Sequence, residues 1–287
     1  AKAEWRTFHD SVRLPWPKAP VQVVLKRRAP DQGFREIWST IVDPESRFVN
    51  RAPPVPAGRV TVLQEHGPAS GHVDLLFVAE GYLADQGAQV AADARRLLAA
   101  LLKEEPYKSR ARDFNVRVLH LPSAEAGVHR PQAASPRRTP VSAEYNIFDS
   151  ERYMLTLDNR SLREAAASAP YDALVVMVNE QQYGGGGVFN AHATVAAGNE
   201  FADYLFVHEF AHHFAALADE YYTSDVAYET GLTDRPEPWE PNVTALKSAA
   251  SLKWRDLLEA STPLPTPWSK EAFDARAAEY QASRRAL

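Results

Sequence analysis

Two histidines separated by three residues form the clearest chemical pattern in this sequence. Residues 208–212 read His-Glu-Phe-Ala-His, which is the HExxH pattern. On a helix, residues four apart lie on one face, so His208 and His212 could direct both imidazoles at one metal ion. Zinc lowers the pKa of a bound water towards ~7, and the neighbouring carboxylate of Glu209 could accept its proton during attack on a carbonyl. The pattern predicts a zinc site with Glu209 as general base.

The surrounding residues favour a helix that packs on a core. Residues 201–218 have an amphipathic pattern, and their apolar side chains available for the core are Phe206, Phe210, Phe214 and Leu217. His213 points about 100° away from His212 around such a helix, so we interpret it as a packing or supporting residue. The competing interpretation is a core helix whose two histidines are only hydrogen-bonded.

A hydrolytic zinc site usually has a third protein ligand. The acidic candidates that follow the motif are Asp219, Glu220, Asp225 and Glu229. On a continuous helix, Asp219 would lie about 10 Å beyond His212 along the axis, at ~1.5 Å per residue. The helix must therefore end and the chain must turn back, although residues 215–218 are all good helix formers. Alternatively, the two acidic residues at 219 and 220 simply end the helix, so the residues alone leave this ligand open.

The elements that position the motif follow an alternating pattern. Residues 73–79, 114–119 and 173–178 are nearly continuous apolar runs, typical of strands buried on both faces. Residues 85–103 and 162–167 have helical spacing. Strands that alternate with helices predict a layered α/β domain.

The N-terminal part has a different pattern. Residues 20–65 contain short runs of alternating apolar and polar residues, interrupted by Pro53, Pro54 and Pro56. This predicts a small antiparallel β module, unless these strands extend the main sheet. We expect a β-rich module at residues 1–68 and a catalytic domain at residues 69–287.

Composition narrows the classes of partner. A net charge of -5 and a pI near 6.0 argue against nucleic acid, which requires a basic face. The sequence contains no apolar run of about 18 residues, so it predicts no membrane-spanning helix. The absence of cysteine excludes disulfides, cysteine-ligated zinc and a thiol nucleophile.

The chain opens without Met, as a form cut after a signal peptide would, and we expect secretion or a periplasmic location. Oligomeric state is not indicated.

A longer stretch around the motif resembles a known family. Residues 208–222 are similar to the signature of the M64 peptidases, the immunoglobulin A peptidase family. The other similar segments are residues 73–82, 114–116, 122–128, 183–187 and 237–244. The matches extend from about residue 70 to residue 268.

The resemblance implies an α+β zincin-like domain with a mixed sheet and an active-site helix, preceded by a β module. It implies one zinc ion held by His208 and His212, with Glu209 as general base and a protein or peptide as substrate. It also favours an acidic third ligand in the pair Asp219 and Glu220, of which we choose Asp219. The predicted activity is that of a zinc endopeptidase.

Two departures from the family pattern are visible. Ala211 replaces a residue that is commonly Gly in the family. Members also tend to continue with a Gly-rich, Tyr-containing segment near the active site, whereas this chain ends at Leu287. We expect either a shorter form or a site that is completed differently.

Four glycines at residues 184–187 have two interpretations: a flexible linker, or a bare strand edge that an extended peptide approaches. The resemblance favours the edge, with Gly185, Gly186 and Gly187 binding substrate. The candidate donors for an oxyanion are Tyr221, Tyr222, Tyr228 and His192. Residues 242–244 match a glycosylation sequon, which is a short and weak pattern.

Two other functions stay open. One is a zinc amidase or hydrolase acting on a non-protein amide. The other is a metal-stabilised binding module without turnover, against which the intact Glu209 argues, since a structural zinc site needs no such carboxylate.

Overall fold

The structure is a computed structural model that describes residues 12, 14–29, 33–52, 55–220 and 237–285. The chain divides into two compact units, Ala1–Ala215 and Ala216–Leu287. The described strands all lie in the first unit: β1 (Val21–Arg28), β2 (Phe34–Val42), β3 (Arg59–Gln64), β4 (Val73–Glu80), β5 (Phe114–His120), β6 (Ala143–Tyr145), β7 (Met154–Thr156), β8 (Ala173–Val178), β9 (Gly185–Val188) and β10 (His192–Ala196). The described α-helices are α1 (Gly87–Leu101), α2 (Asn159–Ala166), α3 (Ala202–Ala215) and α4 (Lys270–Arg285).

A six-stranded mixed sheet forms the centre of the first unit. Its strand order is β3-β5-β4-β8-β10-β9. The four inner strands run parallel to one another, whereas the edge strands β3 and β9 pair antiparallel with β5 and β10. The inner strands β4, β5 and β8 are the three apolar runs expected from the sequence, and they are almost entirely buried.

Both faces of the sheet are covered, because successive side chains of a strand point to opposite sides. Leu75 and Phe77 of β4 pack into one cluster with the apolar faces of α1 and α3. Leu76 and Val78 pack into a second cluster that includes α2 and residues between β5 and β7. The prediction of a layered, mixed α/β fold is confirmed.

The strands of the N-terminal part do not share one sheet. β1 and β2 pair with each other in a separate two-stranded sheet. β3 pairs with β5 and so extends the main sheet, which was the alternative interpretation of this region. The domain boundary expected near residue 68 stays a prediction.

The second unit has less regular structure. Residues 216–220 form no helix or strand, and residues 237–269 contain only short 3-10 turns before α4 begins. At the start of α4, the rings of Trp268 and Phe273 pack edge to face at 5.5 Å. In the described part of the chain, no helix combines the length and apolar character needed to cross a bilayer.

Candidate metal centre

The helix α3 carries the HExxH residues, and its start is fixed by local contacts. Asn199 accepts two hydrogen bonds there, from the backbone N–H of Phe201 to its side chain at 2.9 Å and from that of Ala202 to its carbonyl at 3.1 Å. In the first turn, the carboxylate of Asp203 forms an ion pair with Arg96 of α1. These contacts set where the helix begins and join it to α1.

One face of α3 is buried, and this burial fixes the direction in which the side chains of the opposite face point. Leu205, Phe206 and Phe210 are in the core, and the ring of Phe206 lies 5.5 Å from that of Phe77 on β4. With 3.6 residues per turn, this burial directs the side chains of His208, Glu209 and His212 to another side of the helix, where they are only half-buried.

The two motif histidines converge. The Nε2 atoms of His208 and His212 lie 3.1 Å apart, and their rings are nearly perpendicular. Two nitrogens bound tetrahedrally to zinc at ~2.0–2.1 Å would be about 3.3 Å apart. The spacing therefore fits two ligands of one zinc ion.

The chain turns directly after this helix. α3 ends at Ala215, three residues before the predicted end, and Ala216 has a φ of +58°. A left-handed residue after the last helical residue is a common helix terminator, but Gly or Asn usually occupies it. Because alanine is a good helix former, Ala216 does not indicate the end of a helix in the sequence. The position of the turn therefore could not be predicted.

The turn is followed by Asp219. One ligand atom each from His208, His212 and Asp219 lies within 4.8 Å of the other two. Two imidazoles and one carboxylate are a donor set that zinc accepts with a position left open. The side chain of Glu220 instead accepts a hydrogen bond from Asn242 at 2.9 Å. The other acidic candidates, Asp225 and Glu229, lie outside the described residues.

His213 faces the protein interior, as expected for a supporting residue. Its Nδ1 donates to the carbonyl of Val188 at 3.1 Å, and its Nε2 accepts from the backbone N–H of Leu174 at 3.0 Å. Burial lowers the pKa of His213 to about 4. The neutral ring of His213 therefore links the end of α3 to β8 and β9. Because both ring nitrogens are hydrogen-bonded, neither nitrogen is available to bind a metal.

Three of the four glycines, Gly185, Gly186 and Gly187, lie in strand β9, so the linker interpretation is wrong. A Cβ atom on Gly187 would lie 2.4 Å from the carbonyl oxygen of Glu209 and 2.8 Å from Cβ of His212. A Cβ on Gly185 would lie 3.2 Å from Cγ of Glu209. At Gly187, glycine is needed because α3 packs too closely on β9 to leave room for a side chain.

The backbone of β9 narrows the predicted substrate contacts. Since the carbonyl of Gly184 accepts from Ala196 on β10, strand alternation also directs the backbone groups of Gly186 at β10. The N–H of Gly185 points the other way and donates to the carbonyl of Arg152 at 3.1 Å. By the same alternation, the backbone N–H and carbonyl of Gly187 point away from β10, towards the outer edge of β9. Of the three glycines, only Gly187 has backbone groups on that edge beyond the contact between Gly185 and Arg152. Substrate binding by these glycines stays a prediction.

Tyr183 is a further candidate site residue that the sequence pattern did not single out. Its side chain is 38% exposed, and it precedes Gly185 by two residues. Burial and then the negative charge of nearby Glu209 raise the pKa of Tyr183, so the hydroxyl keeps its proton at neutral pH. The family-like segment 183–187 contains this tyrosine, but its proximity to the motif carboxylate is a result of the fold.

The earlier donor candidates are placed differently. Tyr221, Tyr222 and Tyr228 lie outside the described residues. His192 is 4% exposed in β10, where burial lowers its pKa to about 4. Neither of its ring nitrogens has a hydrogen-bond partner among the described residues. An interior position does not suit a group that must reach a substrate.

Comparison with known proteins assigns a family. A search of curated proteins found no match. The family model described as IgA Peptidase M64 matches residues 61–287, which is more than three quarters of the 287 residues. The similarity noted in the sequence is therefore confirmed, and the chain belongs to the IgA peptidase M64 family.

Proposed function

We propose that this peptidase is a zinc-dependent endopeptidase with His208, His212 and Asp219 as metal ligands and Glu209 as general base. The observation that carries the proposal is the convergence of three ligand atoms within 4.8 Å, beside Glu209 on the same helix. Membership of a peptidase family supports a peptide bond as the target.

The donor set suits zinc better than a harder cation. Imidazole is a ligand that zinc binds readily, whereas magnesium and calcium prefer sites made of oxygen atoms. When bound, zinc supplies a Lewis acid and lowers the pKa of a water molecule. Three protein ligands leave room for that chemistry, whereas a closed four-ligand site would not.

The protein groups have separate roles in this proposal. Glu209 accepts a proton from the attacking water and returns it to the leaving amine. Tyr183, protonated at neutral pH, donates a hydrogen bond to the oxygen that becomes negative during attack. An extended substrate adds to the outer edge of β9, where Gly187 directs its backbone groups. This zincin-like arrangement explains why a strand of glycines runs beside the motif helix.

Metal removal and return test the proposal. We expect wild-type protein to cleave a broad peptide pool, to lose that activity in a chelator, and to regain it with one equivalent of zinc. His212→Ala should neither retain zinc nor cleave, whereas His66→Ala, at an exposed histidine, should behave as wild type. Activity that is unchanged after complete chelation would contradict the zinc-dependent mechanism.

A further inference from the structure

Asn242 makes contacts on both sides of the proposed ligand Asp219. Its side-chain Oδ1 accepts from the backbone N–H of Ala218 at 2.8 Å, and its Nδ2 donates to the carbonyl of Ala218 at 2.8 Å. The same Nδ2 donates to Oε1 of Glu220 at 2.9 Å. One amide thus holds the residue before Asp219 and the residue after it.

The loop that presents Asn242 is itself fixed. The ammonium group of Lys253 donates to the carbonyls of Glu240 at 2.6 Å and Val243 at 2.8 Å, and also to that of Pro238. An ammonium has three donors, so these three carbonyls use its full capacity. Asn242 lies between two of the carbonyls that Lys253 gathers, which limits how far its amide can move.

Asp219 benefits from such support because it lies in irregular backbone. The carboxylate is exposed, and residues 216–220 lack helix or strand structure. Ordering a residue of irregular backbone costs conformational entropy, which hydrogen bonds from outside the segment can offset, most strongly when a charge is involved. The bonds from Asn242 to Ala218 and Glu220 therefore help to order the backbone on either side of this ligand.

We propose that Asn242 is a positioning residue that holds Asp219 in place for metal binding. The inference rests on the proposed metal site. It adds to that site a residue that is distant in sequence from the metal ligands. It also gives Asn242 a role other than glycosylation, although residues 242–244 match a sequon. The two hydrogens of Nδ2 are both donated, to Ala218 and Glu220, and a glycan would replace one of them.

A double-mutant cycle on zinc affinity tests this role. The affinity is measured by competition with a coloured chelator for wild type, Asn242→Ala, Asp219→Ala and the double variant. We expect Asn242→Ala to weaken zinc binding by about 10- to 100-fold, the range found for residues that orient metal ligands. In the Asp219→Ala background the same change should have less than about a threefold effect, because the two residues act through one ligand. Asn50→Ala removes an exposed amide that also accepts a backbone N–H and should leave the affinity unchanged.

Two further variants separate positioning from a general loss of structure. Asn242→Asp keeps the acceptor for Ala218 but loses both donors, and we expect it to weaken zinc binding like Asn242→Ala. Adding Glu220→Gln should restore part of the affinity, because the Gln amide can donate to the new carboxylate. Thermal unfolding of the metal-free variants monitors folding, and visible absorption of the cobalt-substituted proteins reports the ligand geometry.

The outcomes distinguish this proposal from the one on which it rests. Wild-type zinc affinity for Asn242→Ala, or an undiminished loss in the Asp219→Ala background, overturns the positioning role while leaving the metal site intact. Failure of the wild-type protein to bind zinc overturns both. A weaker affinity that depends on Asp219, with partial recovery in Asn242→Asp/Glu220→Gln, supports the role of Asn242.

Discussion

A methyl group on Gly187 would lie 2.4 Å from the carbonyl oxygen of Glu209, closer than a real side chain approaches a backbone oxygen. The edge strand β9 and the motif helix α3 therefore share one position where only hydrogen atoms fit. The same glycine directs its backbone groups to the outer side of the sheet. The close packing of strand on helix thus connects the proposed peptide edge to the proposed metal ligands.

Gly187→Ala should damage both stability and metal binding. The new methyl group forces β9 away from Glu209 and from Cβ of His212, and overpacking of this kind costs about 1–3 kcal/mol. Denaturant unfolding should show this loss, and zinc affinity should fall as well. The matched control is Gly71→Ala, where a Cβ has nothing within 4 Å. Equal stability of the two variants would show that the strand and helix are not packed this closely.

The sequence predicted those parts of the site that depend on local spacing. His208 and His212 could be placed together because a helix brings residues four apart onto one face, and Phe206 and Phe210 indicated which face is buried. The apolar runs of β4, β5 and β8 were recognised because parallel strands are covered on both sides. These features follow from patterns within a few residues.

Other parts depend on contacts that a linear pattern does not record. The turn towards Asp219 rests on a left-handed alanine at position 216, which usually would be glycine. The glycines of β9 were ambiguous because the neighbours that exclude side chains there are distant in sequence, namely α3 at Gly187 and β7 at Gly186. Tyr183 lies 26 residues before Glu209, and Asn242 lies more than 20 residues after the segment that it contacts, so no local spacing pointed to either residue.

Ala216→Gly should stabilise the protein. A φ of +58° costs an L-residue roughly 1–2 kcal/mol, which glycine avoids, although its more flexible unfolded chain offsets part of the gain. We expect the free energy of unfolding to rise by about 0.5–1 kcal/mol. Ala215→Gly, inside the last helical turn, should instead lower the free energy of unfolding by about 1 kcal/mol. If Ala216→Gly is as destabilising as Ala215→Gly, the helix does not end at this residue.

Tyr183→Phe should reduce turnover without releasing the metal. The change removes one hydroxyl near Glu209, and loss of a single donor to a developing oxyanion typically lowers kcat roughly 100-fold. Zinc affinity should stay at the wild-type value, because Tyr183 is not a ligand in this account. Tyr280→Phe, at an exposed tyrosine of α4, is the control. Wild-type kcat for Tyr183→Phe would exclude this residue from the reaction.

Acid should destabilise the metal-free protein through two buried histidines. Burial lowers the pKa values of His192 and His213 to about 4, whereas an unfolded histidine titrates near 6.5. Between these values the unfolded chain binds more protons, so the free energy of unfolding falls as the pH drops from about 6.5 to about 4. The slope from each imidazole reaches at most about 1.4 kcal/mol per pH unit.

His192→Phe tests that assignment, since it keeps an aromatic ring and removes one titration. Denaturant unfolding at several pH values should give a shallower slope for His192→Phe than for wild type in this window. An identical slope for wild type and His192→Phe would mean that His192 already binds a proton in the folded state.

The most direct test of the mechanism compares peptide cleavage by wild-type protein and Glu209→Gln at equal zinc content. The substitution preserves the size of the side chain and removes the proton acceptor, so both proteins should hold one zinc ion. We predict that cleavage by Glu209→Gln falls at least about 100-fold, as expected for loss of a general base. Glu200→Gln, at an exposed residue just before α3, should cleave as wild type does. Equal cleavage by Glu209→Gln and wild type, each loaded with one zinc ion, would contradict the account.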